Sequence, residues 1–255
     1  MADTKTVLIT GASSGLGAEM ARQLAAKGHD LALCARRTER LEELRAEIQA
    51  AAPERRVAVR ALDVNDHPAV FETFRSFRDE LGRIDRVVVN AGTGKGARLG
   101  TGRFDANLET AMTNFVGALA QTEAAMEIFR DQAAGHLVMV SSMSAMRGMP
   151  SSMTTYAATK AGVAHLAEGL RTELHGTSLG KTVKVTVLYP GYIASEMNEH
   201  VEQQTPLMVP TEKGVRSMVA AIEKEVADAC VPAVPWAGLA PVMKHAPLTV
   251  VKKLL

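Results

Sequence analysis

The chain has 255 residues, and its 29 basic and 28 acidic side chains leave a net charge of +1. A charge this close to zero argues against nucleic acid as a partner, because phosphate backbones are bound through clustered positive charge. The two cysteines, Cys34 and Cys230, form neither a disulfide framework nor a metal-binding spacing, so no metal is expected. The sequence has no signal-peptide pattern and no apolar run of about 18 residues, which predicts a cytoplasmic protein without a transmembrane segment.

Six short apolar or β-branched runs alternate with segments of helical periodicity. This alternation is typical of an α/β fold in which a parallel, doubly wound sheet carries helices on both faces. The length suits one large α/β domain and no linker or repeat divides the chain, so residues 1–255 are predicted to form a single domain. The strands are predicted at residues 7–10, 31–35, 57–62, 86–89, 137–140 and 183–188.

The first predicted strand runs directly into a glycine-rich turn, and a helix follows. The turn is Gly11-Ala12-Ser13-Ser14-Gly15-Leu16-Gly17, and apolar residues then recur at helical spacing as far as Gly28. Free N–H groups and the positive end of the helix dipole attract phosphate, and glycines let the backbone approach it closely. A tight turn without a ligand is the alternative, since glycines occur in many turns. The flanking strand and helix favour a dinucleotide site.

Tyr156 and Lys160 stand four residues apart, so on a helix they share one face. A free tyrosine has a pKa near ~10, and a cation within about 4–6 Å lowers such a pKa by ~1–3 units. The pair therefore predicts a tyrosine that acts as a general acid or base, while a hydroxyl from Ser141-Ser142 hydrogen-bonds the substrate oxygen. The spacing alone is not specific, because it also arises by chance in helices.

Taken in their order along the chain, these motifs resemble the short-chain dehydrogenase/reductase family over essentially the whole sequence. Residues 10–17 match its T-G-x-x-x-G-x-G, Asn90-Ala91-Gly92 matches N-A-G, and Pro190-Gly191 matches the P-G after the sixth strand. The resemblance implies a Rossmann-type fold and an oxidoreductase that moves hydride between a nicotinamide coenzyme and a carbonyl or alcohol carbon. The catalytic tetrad that it implies is Asn114, Ser142, Tyr156 and Lys160.

In the mechanism that the resemblance implies, Tyr156 passes a proton to the substrate oxygen and Ser142 donates a hydrogen bond to it, so both also bind substrate. Lys160 lowers the pKa of the tyrosine and binds the nicotinamide ribose. Asn114 holds a water that links Lys160 to solvent, although an ordinary buried asparagine satisfied by backbone is the alternative. Ser142 precedes Tyr156 by fourteen residues, one more than the family usually has, but its offset from the preceding strand makes it preferable to Ser141 or Ser144.

The resemblance also assigns coenzyme contacts. Asp63 meets the adenine, the Ile193 backbone and the Ser195 hydroxyl bind the carboxamide, and residues 196–210 close over the substrate. The residues assigned to the coenzyme in this way are Gly11, Ser13, Ser14, Gly15, Leu16, Gly17, Asp63, Val64, Asn90, Ala91, Gly92, Tyr156, Lys160, Pro190, Gly191, Ile193 and Ser195.

The end of the second predicted strand indicates which coenzyme is used. Enzymes that favour NAD place a carboxylate there, about 20 residues after the glycines, to hold the ribose 2′-hydroxyl. Here the position is Ala35, and Arg36 and Arg37 follow. A guanidinium matches a phosphate with two hydrogen bonds, so these arginines predict NADP(H). A solvated helix start that includes Arg40 is the alternative.

Methionines provide the main indication of the substrate. Flexible, polarizable side chains suit adaptable apolar surfaces, which favours a hydrophobic ketone, aldehyde or secondary alcohol over a small polar one; methionines that only fill the core are the alternative. We also expect a homo-oligomer, either a dimer or a tetramer. The methionines concerned are Met143, Met146, Met149 and Met153 between the serine and the tyrosine, and Met197 and Met208 in the segment expected to close over the substrate.

Two other functions compete with a simple carbonyl–alcohol oxidoreductase. A dehydratase or epimerase of the same family is one, although the complete tetrad favours simple hydride transfer. A non-catalytic regulator that only binds NADPH is the other, and such a protein has no need of Ser142, Tyr156 and Lys160 together.

The C-terminal residues 229–255 form an apolar extension. Residues 231–234 are predicted as an edge strand, where proline is tolerated, and two short apolar segments follow at 236–243 and 247–255. The extension has three candidate roles: a cover for the substrate pocket, a subunit contact, or a peripheral membrane contact through its lysines. Because three lysines are few for electrostatic anchoring, we expect the extension to pack on protein.

Overall fold

The computed structural model describes residues 4–94, 96–196 and 207–250. Within these residues, parallel strands form one sheet in the order β3-β2-β1-β4-β5-β6-β7. The strands are β1 (Thr6–Thr10), β2 (Asp30–Ala35), β3 (Val57–Ala61), β4 (Arg86–Val89), β5 (Gly135–Val140), β6 (Val183–Pro190) and β7 (Asp228–Val231). The helices are α1 (Gly15–Ala26), α2 (Thr38–Ala51), α3 (His67–Leu81), α4 (Phe104–Ala111), α5 (Gly117–Gln132), α6 (Met153–Leu174), α7 (Leu179–Thr182), α8 (Thr211–Glu223) and α9 (Ala233–His245).

The predicted doubly wound α/β fold is confirmed, and the six predicted strands begin and end within two residues of the observed ones. The predicted edge strand at 231–234 is wrong in its position. The seventh strand is Asp228–Val231, at the edge of the sheet as expected, and α9 begins soon after it. Pro232 explains the difference, because a proline has no N–H to continue the ladder.

Alternate side chains of β1 enter two separate cores. Leu8 packs on the face covered by α3, α5 and α6, whereas Val7 and Ile9 pack on the face covered by α1, α2 and α8. All five residues of β1 are buried, since this strand lies in the middle of the sheet. The strand order changes direction between β1 and β4, and in such sheets the loops at the carboxyl ends of these strands diverge and open a crevice.

The opposite end of the sheet holds a buried polar cluster. Arg86, whose side chain is fully buried, donates from Nε to His136 Nδ1 at 2.9 Å and from Nη1 to Glu223 at 2.5 Å. His136 Nε2 lies 2.9 Å from the hydroxyl of Thr186. Because Nδ1 accepts a hydrogen bond from a guanidinium, the imidazole must be neutral there. Burial, together with the charge of Arg86, lowers the pKa of His136 to about 3.

The neutral state of His136 predicts a pH-dependent stability. The unfolded chain binds a proton on this histidine below about pH 6.5 and the folded chain does not until about pH 3, so stability falls as pH decreases through this window. His136→Gln keeps an acceptor for Arg86 but cannot titrate. Its free energy of unfolding should therefore depend on pH less steeply, by up to about 1.4 kcal/mol per pH unit.

Urea unfolding at pH 7.5, 6 and 5 measures this difference. His175→Gln, which replaces an exposed histidine, is the matched control and should follow the wild-type dependence. Parallel pH dependences in wild type and His136→Gln would contradict the assignment.

Candidate active site

The carboxyl ends of the strands border a cleft of about 570 Å³, within the range of small-molecule sites. Two of the predicted site residues, Gly17 and Asn114, are not among the residues that line this cleft. The predicted residues that do line the cleft are Gly11, Ser13, Ser14, Gly15, Leu16, Arg36, Arg37, Asp63, Val64, Asn90, Ala91, Gly92, Ser142, Tyr156, Lys160, Pro190, Gly191, Ile193 and Ser195. The fold therefore brings together segments that are far apart in the sequence.

Two glycines of the turn after β1 are required by close packing. Gly11 has φ of +64°, and a Cβ there would lie 2.9 Å from the Ala91 Cα. A Cβ on Gly17 would lie 2.4 Å from the carbonyl oxygen of Gly11. The turn can therefore approach β4, and α1 can approach the turn, only without side chains at these positions. This leaves the N-terminus of α1 facing the cleft, as a pyrophosphate requires.

Asn90 holds the glycine turn in place rather than only lining the cleft. Its Nδ2 donates to the carbonyl oxygen of Thr10 at 2.9 Å. The backbone N–H groups of Asn90 and Ala91 both donate to the Thr10 hydroxyl at 3.0 Å. The N-A-G motif thus ties the loop after β4 to the end of β1, and it supports a coenzyme site through the position of the turn.

Tyr156, Lys160 and Ser142 meet at one end of the cleft. All three side chains line the cleft, and the Ser142 hydroxyl accepts from the backbone N–H of Ser144 at 3.1 Å. The Lys160 side chain is buried, and its Nζ lies 5.8 Å from the centre of the Tyr156 ring. The same Nζ donates to the carbonyl oxygen of Val140 at 3.0 Å. Both α6 residues thus face one space, as their spacing predicts.

The titration of the pair differs from the expectation. Burial raises the pKa of Tyr156 above its usual value, and the hydrogen bond with Ser142 offsets this only in part. Burial also lowers the pKa of Lys160 to about 8. The predicted lowering of the tyrosine pKa is therefore wrong for this structure, because the loss of hydration outweighs the opposing effect of Ser142. Near neutral pH Tyr156 is a protonated phenol, which is ready to donate.

The neighbouring serine Ser141 has a different task. Its hydroxyl is buried and donates to the backbone carbonyl of Lys160 at 2.7 Å, so it joins the end of β5 to α6. Ser142, and not Ser141, is the serine that opposes the rise in the pKa of Tyr156. In the turn before α6, between the serine and the tyrosine, Ser151 takes a left-handed φ of +60°.

Asn114 lies in a π-helical turn, Met112–Val116, between α4 and α5. Its Oδ1 accepts from the backbone N–H of Thr93 at 2.7 Å and its Nδ2 donates to the Thr93 carbonyl at 2.8 Å. The sequence did not predict this π-turn, a feature often found at functional sites. The side chain of Asn114 is therefore hydrogen-bonded to backbone, and its role in holding a water stays a prediction. A Cβ on Gly92 would lie 3.1 Å from Asn114 Oδ1 and 3.4 Å from Lys160 Nζ, so both border one small space.

The arginines after β2 are engaged by a carboxylate that sequence reasoning did not select. Arg37 donates from Nη1 and Nη2 to the two oxygens of Glu196, at 2.9 and 2.8 Å. Arg40 donates to the same carboxylate at 3.0 and 3.2 Å. Arg36 is exposed. Glu196 is 159 residues from Arg37 in the chain, and no local pattern indicates the pairing.

The C-terminal extension packs beside this site. The Trp236 ring on α9 lies edge-on to Tyr192, with centroids 5.4 Å apart, and its indole abuts Gly191. Arg147 donates to the carbonyl of Lys244 near the end of the same helix, at 3.2 Å. Within residues 4–94, 96–196 and 207–250, no helix is long and apolar enough to cross a membrane. Most of the segment expected to close over the substrate, including Met197, lies outside the described residues.

Comparison with known proteins places the chain in a family. The family profile described as short chain dehydrogenase matches residues 5–206. An uncharacterised oxidoreductase of Mycobacterium tuberculosis is 53% identical over 237 residues, which is 93% of this chain and 92% of that protein.

Two solved structures show the same fold. One is an alcohol dehydrogenase from the archaeon Thermococcus sibiricus, complexed with 5-hydroxy-NADP. It has a TM-score of 0.79 at 25% identity, and the match covers 91% of this chain and 97% of the dehydrogenase chain. The other is a short chain dehydrogenase/reductase from Burkholderia phymatum in complex with NAD. It has a TM-score of 0.83 at 19% identity, and the match covers 98% of this chain and 95% of the other chain. The chain belongs to the short-chain dehydrogenase family and is an oxidoreductase that acts on CH–OH or carbonyl groups.

We expect substitutions of the two adjacent serines to differ in their effects on turnover and on stability. Ser142→Ala removes the hydroxyl beside Tyr156, and turnover should fall by about 10²–10³-fold, as when one oxyanion donor is lost. Ser141→Ala should leave turnover close to wild type, but it removes a buried hydrogen bond between β5 and α6 and should lower the free energy of unfolding by about 0.5–1.5 kcal/mol. Steady-state rates and urea unfolding of both variants provide the measurement. Equal losses of turnover in the two would show that the geometry does not distinguish them.

Proposed function

We propose that the protein is an NADP(H)-dependent oxidoreductase that interconverts an apolar ketone or aldehyde and the corresponding alcohol. The observation that carries the proposal is that Ser142 and Tyr156 line one cleft together with the buried ammonium of Lys160. A carbonyl oxygen that gains negative charge needs a proton donor and a second hydrogen-bond donor, and these hydroxyls supply both.

The side chains have distinct tasks in this mechanism. When bound, the nicotinamide supplies the hydride for reduction or accepts it in the reverse direction. Ser142 donates a hydrogen bond to the carbonyl oxygen and holds it in place. Tyr156 gives its phenolic proton to that oxygen as the new C–H bond forms, so the carbonyl becomes an alcohol and the phenol a phenolate. Lys160 stabilises the phenolate by its charge, and a proton from solvent then restores the phenol.

Asn114 has a positioning task in this proposal. Through Thr93 it holds the loop that follows the N-A-G motif, next to the space shared with Lys160. A non-catalytic NADPH-binding regulator is the second candidate, but a buried lysine beside a paired phenol and hydroxyl has no use in such a protein. The homo-oligomer and the cytoplasmic location stay predictions.

Tyr156→Phe tests the proton transfer. The variant keeps the ring but has no proton to give, and general acid catalysis is typically worth ~10²–10⁴-fold, so turnover should fall by that factor. Coenzyme affinity, followed by fluorescence titration, should be nearly unchanged. The assay is NADPH oxidation with a panel of apolar ketones, under conditions where chemistry limits the rate. A variant that kept a large part of wild-type turnover would remove Tyr156 from the mechanism and favour the regulator.

The charge at the end of β2 supports NADP(H) as the coenzyme. Ala35 stands where a carboxylate would hold the ribose 2′-hydroxyl, and Arg37 and Arg40 already bind an anion at the rim of the cleft. A guanidinium fork fits two phosphate oxygens as well as it fits a carboxylate. Arg36 is exposed, so we assign the phosphate to Arg37 and give Arg36 a lesser part. Of the two similar structures, one is complexed with 5-hydroxy-NADP and one with NAD, so the choice of coenzyme rests on the arginines.

Arg37→Ala and Arg36→Ala form a matched pair that tests this choice. Charge-assisted hydrogen bonds contribute about 1.5–3 kcal/mol, so Arg37→Ala should lower kcat/KM for NADPH about tenfold or more. The same parameter for NADH should change little, and Arg36→Ala should have a smaller effect with both coenzymes. Ala35→Asp combined with Arg37→Ala should favour NADH, because the new carboxylate repels the 2′-phosphate. Equal efficiency of the unmodified protein with the two coenzymes would contradict the proposal.

Exposed apolar side chains near the P-G turn support an apolar substrate. Tyr192 is 41% exposed, and the returning chain places Leu207 and Met208 beside it, since the Val209 N–H donates to the Tyr192 carbonyl at 3.0 Å. Trp236 from α9 backs this surface. Met143, by contrast, is buried, so it belongs to the protein interior rather than to the substrate surface. We therefore assign the substrate side of the cleft to Tyr192, Met208 and α9.

A further inference from the structure

A carboxylate of the protein itself occupies the position where an anion would bind the arginines after β2. The anion site consists of Arg37, Arg40, Ser13 and Ser14. Arg37 makes a two-bond fork to Glu196, and Arg40 reaches both oxygens of the same carboxylate. Arg37 also donates from Nη2 to the Ser14 hydroxyl at 2.6 Å and from Nε to the Ser13 hydroxyl at 3.4 Å.

The contacts of Glu196 are those that a phosphate would use. The guanidinium groups of Arg37 and Arg40 converge on it, and Arg37 is in turn hydrogen-bonded to the serines of the glycine turn. Hydrogen bonds from Arg37 and Ser14 hold the pKa of this carboxyl well below its usual range, so it is ionised throughout the physiological range. Arg37, Ser13, Ser14 and Glu196 all line the coenzyme cleft, which distinguishes them from an ion pair on the outer surface.

We propose that Glu196 is a specificity-determining residue: its carboxylate competes with the 2′-phosphate of NADP(H) for the anion site and so weakens NADP(H) relative to NAD(H). The inference rests on the proposed function, in which Arg37 binds that phosphate. NADP(H) must displace the carboxylate before its 2′-phosphate can meet the arginines, whereas NAD(H) has a hydroxyl at that place and need not.

The expected size of the effect follows from the exposure of the groups. The side chains of Arg37, Arg40 and Glu196 are 42%, 48% and 39% exposed, so the ion pairs are partly screened by water. Displacing two such pairs should weaken NADP(H) by about five- to thirtyfold. The remaining preference for NADP(H) then comes from the two charges of the phosphate against the single charge of the carboxylate.

Binding of coenzyme fragments isolates the 2′-phosphate. The probes are 2′,5′-ADP and 5′-AMP, which differ only in that group, together with NADPH and NADH, each titrated calorimetrically into the full chain. Glu196→Gln removes the charge at nearly constant size, and Glu196→Ala removes the side chain. Both variants should bind 2′,5′-ADP and NADPH about five- to thirtyfold more tightly than wild type, whereas their affinities for 5′-AMP and NADH should stay close to wild type.

Glu43→Gln is the matched control, because it removes the same charge from an exposed position on α2. It should leave all four affinities close to wild type. Unchanged or weaker binding of 2′,5′-ADP by both Glu196 variants would overturn the inference, and weaker binding would show that Glu196 instead holds the arginines in place. An equal gain for 5′-AMP, or an equal gain in Glu43→Gln, would also overturn it, because the effect would then be one of general charge.

The same measurements distinguish a failure of the inference about Glu196 from a failure of the proposed coenzyme preference. If wild type prefers NADPH and the Glu196 variants bind 2′,5′-ADP no better, only the role of Glu196 is wrong. If wild type prefers NADH and Arg37→Ala does not affect NADPH, the proposed coenzyme is wrong. If wild type prefers NADH but Glu196→Gln shifts the preference to NADPH, the competition is real and is strong enough to set the coenzyme.

Discussion

The hydroxyl of Thr10 accepts hydrogen bonds from the backbone N–H groups of both Asn90 and Ala91, and the shape of the cleft depends on this contact. Thr10 ends β1 and Asn90 follows β4, so the contact lies where the strand order changes direction. The loops diverge there, and a dinucleotide binds in the space between them. A pair of hydrogen bonds at the base of that space fixes how far apart the loops begin, and it holds Gly11 against Ala91 closely enough to exclude any side chain.

Burial of a cation has different results at the two ends of the sheet. Arg86 lies among Glu223 and His136, which neutralise and hydrogen-bond it, so the cluster serves the stability of the fold. Lys160 donates to the neutral carbonyl of Val140, and burial lowers its pKa to about 8. Because this carbonyl does not neutralise the ammonium, Lys160 can stabilise negative charge that develops on Tyr156. The unfavourable burial of Lys160 is therefore a property of the catalytic end of the molecule.

The cations at the end of the cleft after β2 differ from Lys160, because a carboxylate neutralises them. There the positive charges of Arg37 and Arg40 are already met by Glu196. An anion site that carries its own carboxylate binds an incoming phosphate by exchange rather than by addition, and only the difference between the two interactions contributes to affinity. In the proposed function, coenzyme choice thus depends on a balance among three side chains, and not on the arginines alone.

The sequence by itself determined the features that depend on neighbours along the chain. A β-branched run, a glycine turn and an amphipathic helix specify one supersecondary unit, and the four-residue spacing puts Tyr156 and Lys160 on one face of α6. Only the tertiary structure decided how these groups titrate, because desolvation is set by everything packed around a side chain. For the same reason it alone revealed the backbone partner of Asn114 and the contact of Glu196 with Arg37, which joins residues 159 positions apart.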